Sequence, residues 1–96
     1  MTVLDVVLQE EYERSKRMKT AMERELSVLP KGYISKKIIN NNEYYYLQKR
    51  VGSKIVGNYI PSEDVEKMKV LISKRKQLEK SIREIEKNIK KIERLK

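Results

Sequence analysis

Between residues 31 and 60 the sequence places five tyrosines (Tyr33, Tyr44, Tyr45, Tyr46 and Tyr59) among six basic residues (Lys31, Lys36, Lys37, Lys49, Arg50 and Lys54), with Glu43 the one acidic residue of the stretch. That combination suits a polyanion. Lys and Arg contact phosphates and release condensed counterions, tyrosine rings stack on bases or hydrogen-bond phosphates, and asparagines can read an adenine edge. The residues expected to carry nucleic-acid contact are Lys36, Lys37, Tyr44, Tyr46, Lys49, Arg50 and Lys54. A plainer reading is a solvated basic sheet whose tyrosines pack across strands, and at least two of the five tyrosines are expected to do that.

Other chemistry is poorly provided for. The run Tyr44-Tyr45-Tyr46 invites comparison with the tyrosine nucleophile of recombinases and topoisomerases, but that reaction needs Arg and usually His around the leaving phosphate, in a much larger fold. The chain has no His and no Cys, which removes imidazole bases, thiolate nucleophiles, disulfides and nearly every transition-metal site. Gly32, Gly52 and Gly57 are scattered, and none opens a helix as a phosphate-binding loop must. Nearly every Asp and Glu falls at a solvent-facing helical position. The expectation is a protein that is not an enzyme, with no catalytic residues, no metal and no cofactor.

Ninety-six residues suit one domain, 1–96. Charged residues make up 39% against an ordinary ~25%, and apolar residues only 39%. Little core is therefore available, and long helices, dimerisation or a ligand must supply the rest of the stability. The net charge of +9 comes from residues 31–60 and 61–96, since residues 1–30 are close to neutral. No apolar run approaches the ~18 residues of a membrane span, and the start MTVLDVVLQEE turns acidic too early for a signal peptide, so a cytoplasmic protein without a membrane partner is expected.

Three elements must position the basic tyrosine-rich stretch. Residues 2–29 read as a helix: Thr2 and Asp5 stand as a capping box, and Leu4, Leu8, Tyr12, Met18, Met22 and Leu26 form a narrow apolar stripe. Pro30 and Gly32 end it. Residues 33–60 change period. YISKKII, EYYYLQKR and KIVGNYI are separated by Asn40-Asn41-Asn42 and Gly52-Ser53, residues that tolerate the positive φ of tight hairpins, so a three-stranded antiparallel meander follows. Alternation sets Tyr44, Tyr46, Gln48 and Arg50 on one face of the middle strand and Tyr45, Leu47 and Lys49 on the other; the face with Tyr45, Leu47 and Val56 is expected against the helices.

Residues 62–96 read as a second helix, with Ser62 as N-cap and Glu63 and Asp64 in the first turn. A heptad register holds along it: Met68, Arg75, Ile82 and Ile89 at one seam position, Leu71, Leu78, Ile85 and Ile92 at the other. The helix would run roughly 50 Å, too long for a three-stranded sheet to cover. Its seam (Leu71, Arg75, Leu78, Ile82, Ile85, Ile89, Ile92) is expected to meet the first helix, a second copy in a homodimer, or a protein partner. Arg75 within an apolar seam would select register and partner at a cost in stability. The Lys-rich outer surface (Lys74, Lys76, Lys80, Lys87, Lys90, Lys91) reads first as a solvated face with i,i+4 pairs such as Glu86 with Lys90.

The stretch Leu29-Pro30-Lys31-Gly32-Tyr33-Ile34-Ser35-Lys36-Lys37, continued by Tyr44-Tyr45-Tyr46-Leu47, Lys54-Ile55-Val56 and Tyr59-Ile60, resembles a group of small proteins from Gram-positive bacteria and their mobile elements. Their pattern is a helix, LPKGxIxKK, YYYLxYRxGxKV, YI and a Lys/Glu-rich coiled coil. The resemblance covers most of the chain. The hairpin is similar, more weakly, to β segments near the start of some insertion-sequence transposases, from which Gln48-Lys49-Arg50-Val51 departs where a Tyr-Arg pair is usual. The resemblance implies an accessory role on a mobile element, and brings no activity with it. Proteins of such elements bind DNA or inhibit host defence complexes of the CRISPR type.

The expected fold class is therefore α+β: a long N-terminal helix, a three-stranded antiparallel meander and a long C-terminal coiled-coil helix. The expected function is sequence-tolerant binding of nucleic acid, DNA or RNA. The alternative is a protein-interaction module docking through coiled coil and sheet.

Overall fold

The computed structural model describes residues 2–95. The fold is α+β, with an N-terminal helix, a three-stranded antiparallel sheet in the order β1-β2-β3 and a long C-terminal helix. The elements are α1 (Val3–Ser27), β1 (Tyr33–Ile39), β2 (Asn42–Val51), β3 (Lys54–Ile60) and α2 (Val65–Leu95). Among the described residues two compact units form, one from residues 2–28 and 76–95 and one from residues 29–75; α2 contributes to both.

In the first unit α1 starts on the capping box read from the sequence. The Thr2 hydroxyl accepts the Asp5 N–H at 3.2 Å, and the Asp5 carboxylate accepts the Thr2 backbone N–H at 3.1 Å. That backbone bond, followed by one from the Thr2 hydroxyl, holds the Asp5 carboxyl below its ordinary value. The cap therefore contributes fully above the ordinary carboxyl range and is lost as the pH falls through the lowered value.

The covered stripe of α1 differs from the apolar stripe expected. Leu8, Tyr12, Lys19, Met22 and Leu26 are half-buried and Ser15 is buried, while Leu4 and Met18 are exposed. Positions 8, 12, 15, 19, 22 and 26 form an unbroken 4-3-4-3-4 seam, hidden in the sequence because two of its members are polar. On α2, Ile82, Ile89 and Ile92 are buried, with Leu78 and Ile85 half-buried. Lys19 pairs with Glu86 at 3.6 Å, and Lys16 is raised by Tyr12 and, more weakly, by Glu93. Sequence number falls along α1 as it rises along α2, so the helices are antiparallel. The seam from Leu78 onward is thus covered within the chain, and a second copy is not needed to cover it.

In the second unit two turns set the sheet. Asn40 and Asn41 carry φ of 52° and 67°, the left-handed pair of a two-residue hairpin, and Gly52 opens the next turn at 64°. Gly32, at φ 132°, lies so close to β2 that a Cβ there would collide with the backbone oxygen of Gln48. Ile60, Val65 and Ile72 are the buried apolar residues of this unit. The α2 stripe here runs Val65, Met68, Ile72, so Ile72 is buried while Leu71 is only half-buried, one position off the heptad. This stretch belongs with the sheet rather than with a helical partner, and the strict a/d register need not hold.

Two further expectations give way. Ser62 makes no side-chain cap; Asp64 N–H instead donates to the Pro61 carbonyl at 2.9 Å, closing a 3-10 turn, Ser62–Asp64, ahead of α2. Arg75 is a clasp within the sheet unit: its Nη1 donates to the Leu29 carbonyl at 2.9 Å, tying α2 to the segment that leads into β1.

Chemical denaturation checks both backbone constraints. Gly32→Ala is expected to cost about 1–3 kcal/mol, the scale of a strained backbone, whereas Gly57→Ala, whose Cβ would meet Gln48 Cγ at an ordinary 3.6 Å, should be neutral or stabilising by up to about 1 kcal/mol. Arg75→Ala is expected to cost about 1.5–3 kcal/mol, and Arg75→Lys should recover only part of it, because the ammonium lacks the planar fork.

Candidate nucleic-acid interface

Directly opposed residues of an antiparallel pair share a face, so the register assigns every strand residue. Ser35 faces Tyr46, Lys37 faces Tyr44, Tyr33 faces Gln48, Tyr46 faces Tyr59, and Arg50 faces Ile55. One face of the sheet therefore carries Tyr33, Tyr44, Tyr46, Tyr59, Lys37 and Arg50. No strand residue on it is acidic.

The tyrosines of this face touch one another. Tyr59 lies with its ring centroid 6.5 Å from Tyr44 and 5.9 Å from Tyr46, the second pair edge-on. The Lys37 ammonium stands 5.0 Å from the Tyr46 ring centre, a cation over a π face. Gly57 leaves the space into which the Gln48 side chain folds. The result is a platform whose inner rings, Tyr44 and Tyr46, are half-buried by their neighbours, while Tyr33 and Tyr59 are 51% and 55% exposed.

The opposite face is shared with the core. Ile60 is buried, and Ile34, Tyr45 and Leu47 are half-buried around it, but Val56 is exposed, so the cover expected on this face stops short of that residue. Lys36 bonds Glu43 at 3.0 Å, and Tyr45 donates its hydroxyl to the same carboxylate at 3.4 Å. The hydrogen bond and the charge of Glu43 raise Lys36 above the ordinary lysine value. Both partners are about half exposed, so the pair adds little stability.

The seven residues expected to bind nucleic acid thus divide. Lys37, Tyr44, Tyr46 and Arg50 lie together on the tyrosine face, while Lys36, Lys49 and Lys54 lie on the other, Lys36 already engaged by Glu43. Tyr33 and Tyr59, outside the seven, lie on the same face as Tyr44 and Tyr46. The signal for them was the turn chemistry: once Asn40-Asn41 and Gly52-Ser53 are placed at the hairpin tips, counting back along each strand brings Tyr59 opposite Tyr46 and Tyr33 opposite Gln48.

A shallow groove on α1, about 410 Å³ and lined by Lys16, Arg17, Thr20, Ala21 and Arg24, is a second basic surface. It has no unstacked ring to offer, as the Tyr12 ring lies under the Lys16 ammonium at 4.7 Å. Among the described residues no three His, Cys, Asp or Glu side chains gather to hold a metal ion, and no helix is long and apolar enough to cross a membrane.

A basic, aromatic sheet face on a meander that joins two helices defines the class of the site. The chain belongs to a family described as a domain of unknown function, DUF6788, whose model matches residues 8–70. The matched span takes in most of α1, the whole meander and the start of α2, and so the entire tyrosine face. No match was found among curated proteins or among solved structures.

Because Tyr59 closes two ring pairs, each worth about 0.5–1.5 kcal/mol beyond its buried area, Tyr59→Ala is expected to destabilise the fold by about 1–2 kcal/mol more than Tyr33→Ala. Urea unfolding of the two variants checks this.

Proposed function

We propose that this chain is a non-enzymatic nucleic-acid-binding protein that holds the phosphate backbone on the tyrosine face of its meander. What supports the reading is one observation: Lys37 and Arg50 share a face with four tyrosines and no acidic strand residue. Arg50 and Lys37 neutralise phosphates, and the tyrosine hydroxyls are further donors to the backbone. Sequence-tolerant contact of this kind would serve an accessory protein of a bacterium or mobile element, the setting of the proteins that the sequence resembles.

Docking to another protein, such as a host defence complex, is the second reading. It draws on a different feature, the exposed apolar run Val3, Leu4, Val6 and Val7 at the start of α1. The positive face argues for nucleic acid as the first partner to test.

The test is fluorescence anisotropy of labelled DNA and RNA with increasing salt. Binding should weaken steeply with salt, and Lys37→Ala with Arg50→Ala should flatten the log–log slope by about two, roughly one for each phosphate that is no longer neutralised. Lys49→Ala with Lys54→Ala, on the other face, should flatten it less. An unchanged slope in the first pair would remove the assignment.

A further inference from the structure

We infer that the tyrosine face takes single-stranded nucleic acid, its exposed rings stacking on unpaired bases; this rests on the reading just proposed and narrows its ligand. Base faces are covered by their neighbours in a duplex and open in a single strand, so an aromatic platform has stacking partners only in the latter. The rings here are on the surface. Tyr33 and Tyr59 stand half exposed on the two outer strands of the sheet, with Tyr44 and Tyr46 between and beside them.

Width argues the same way. The outer strands of a three-stranded sheet lie about 10 Å apart axis to axis, before side chains are added. The major groove of B-DNA, about 12 Å wide, admits a helix or a two-stranded ribbon. This face is wider than a two-stranded ribbon and fits that groove less closely. A flexible strand, by contrast, can lie across the sheet.

The charges sit where such a strand needs them. Tyr33 pairs with Gln48 and Tyr59 with Tyr46, two residues apart along β2, which sets the Cα atoms that carry the two exposed rings about 12 Å apart by strand geometry. The rings therefore serve different bases. Lys37 lies towards one end of the face and Arg50 towards the other, opposite Tyr44 and Ile55 respectively, bracketing the rings with phosphate ligands. No acidic strand residue on the face repels the backbone, so the charge complementarity is unbroken across it.

The experiment compares end-labelled dT and rU oligomers of roughly twelve nucleotides, within the usual range of single-strand site sizes, with a duplex of the same length. Because the chain has six tyrosines and no tryptophan, stacking is also read directly as quenching of tyrosine fluorescence. Either single strand should bind about tenfold or more tightly than the duplex and quench the emission. Tyr33→Ala and Tyr59→Ala should each weaken single-strand binding at least about fivefold, the lower end of the range for one base stack, and weaken duplex binding clearly less, since only a hydroxyl donor to the backbone is lost there. Tyr33→Phe and Tyr59→Phe, which keep the ring and lose only the hydroxyl, should restore most of the single-strand binding. Tyr33→Ala keeps the test valid if removal of the Tyr59 ring disturbs the sheet, since neither ring pair of Tyr59 involves Tyr33.

Duplex binding as tight as that of single strands, or alanine variants that bind normally while Lys37→Ala and Arg50→Ala weaken binding, would overturn single-strand stacking and leave the phosphate-binding reading standing. Failure of the intact protein to bind any of the three probes would overturn both.

Discussion

Two hairpin tips, Asn40-Asn41 and Gly52-Ser53, and the close approach of Gly32 to the Gln48 backbone fix how β2 lies between its neighbours. Everything on the sheet depends on that register. A slip of one residue would send each side chain of a strand to the opposite face. Tyr59 would leave Tyr46, Lys37 would leave Tyr44, and Ile60 would leave the core. The left-handed backbone at Asn40 and Asn41 makes such a slip costly, because few residues other than Asn and Gly occupy that conformation readily. The meander has little core to hold it otherwise, and Arg75 reinforces it from α2 by clasping the Leu29 carbonyl ahead of β1.

The helices solve a different problem with equally few apolar residues. α1 presents Ser15 and Lys19 within its seam, and the isoleucines of α2 supply the buried apolar residues of that unit. A polar seam of this kind gains little from burial and selects its partner through charge, as Lys19 does with Glu86. Covering the α2 seam inside the chain leaves the tyrosine face of the sheet as the broadest aromatic surface among the described residues.

Periodicity made the elements and the meander legible: turn residues punctuated the strands, and Thr2 with Asp5 announced the start of α1. The faces were less legible. Sorting tyrosines and lysines along β2 alone separated Tyr44 and Tyr46 from Tyr45, but joining Tyr33 and Tyr59 to them required the pairing of three strands at once. Alternation along β2 already set Lys49 on the side away from Arg50, but Lys36, Lys37 and Lys54 lie on the outer strands and take a side only through the pairing. In α1, the polar residues Ser15 and Lys19 masked a regular seam, and the apolar residues Leu4 and Met18 imitated one. Ile72 was displaced from the heptad because the start of α2 belongs with a sheet. Arg75 was legible as an exception, though a backbone carbonyl as its partner was not.

Whether the tyrosine face is the working surface is decided by NMR, following amide and tyrosine-ring chemical shifts during titration with oligothymidylate. Shifts should cluster at Tyr33, Lys37, Tyr44, Tyr46, Arg50 and Tyr59, with Lys49, Lys54 and Val56 little moved. Shifts centred on that opposite face, or on the Lys16, Arg17 and Arg24 surface of α1, would contradict a working role for the tyrosines.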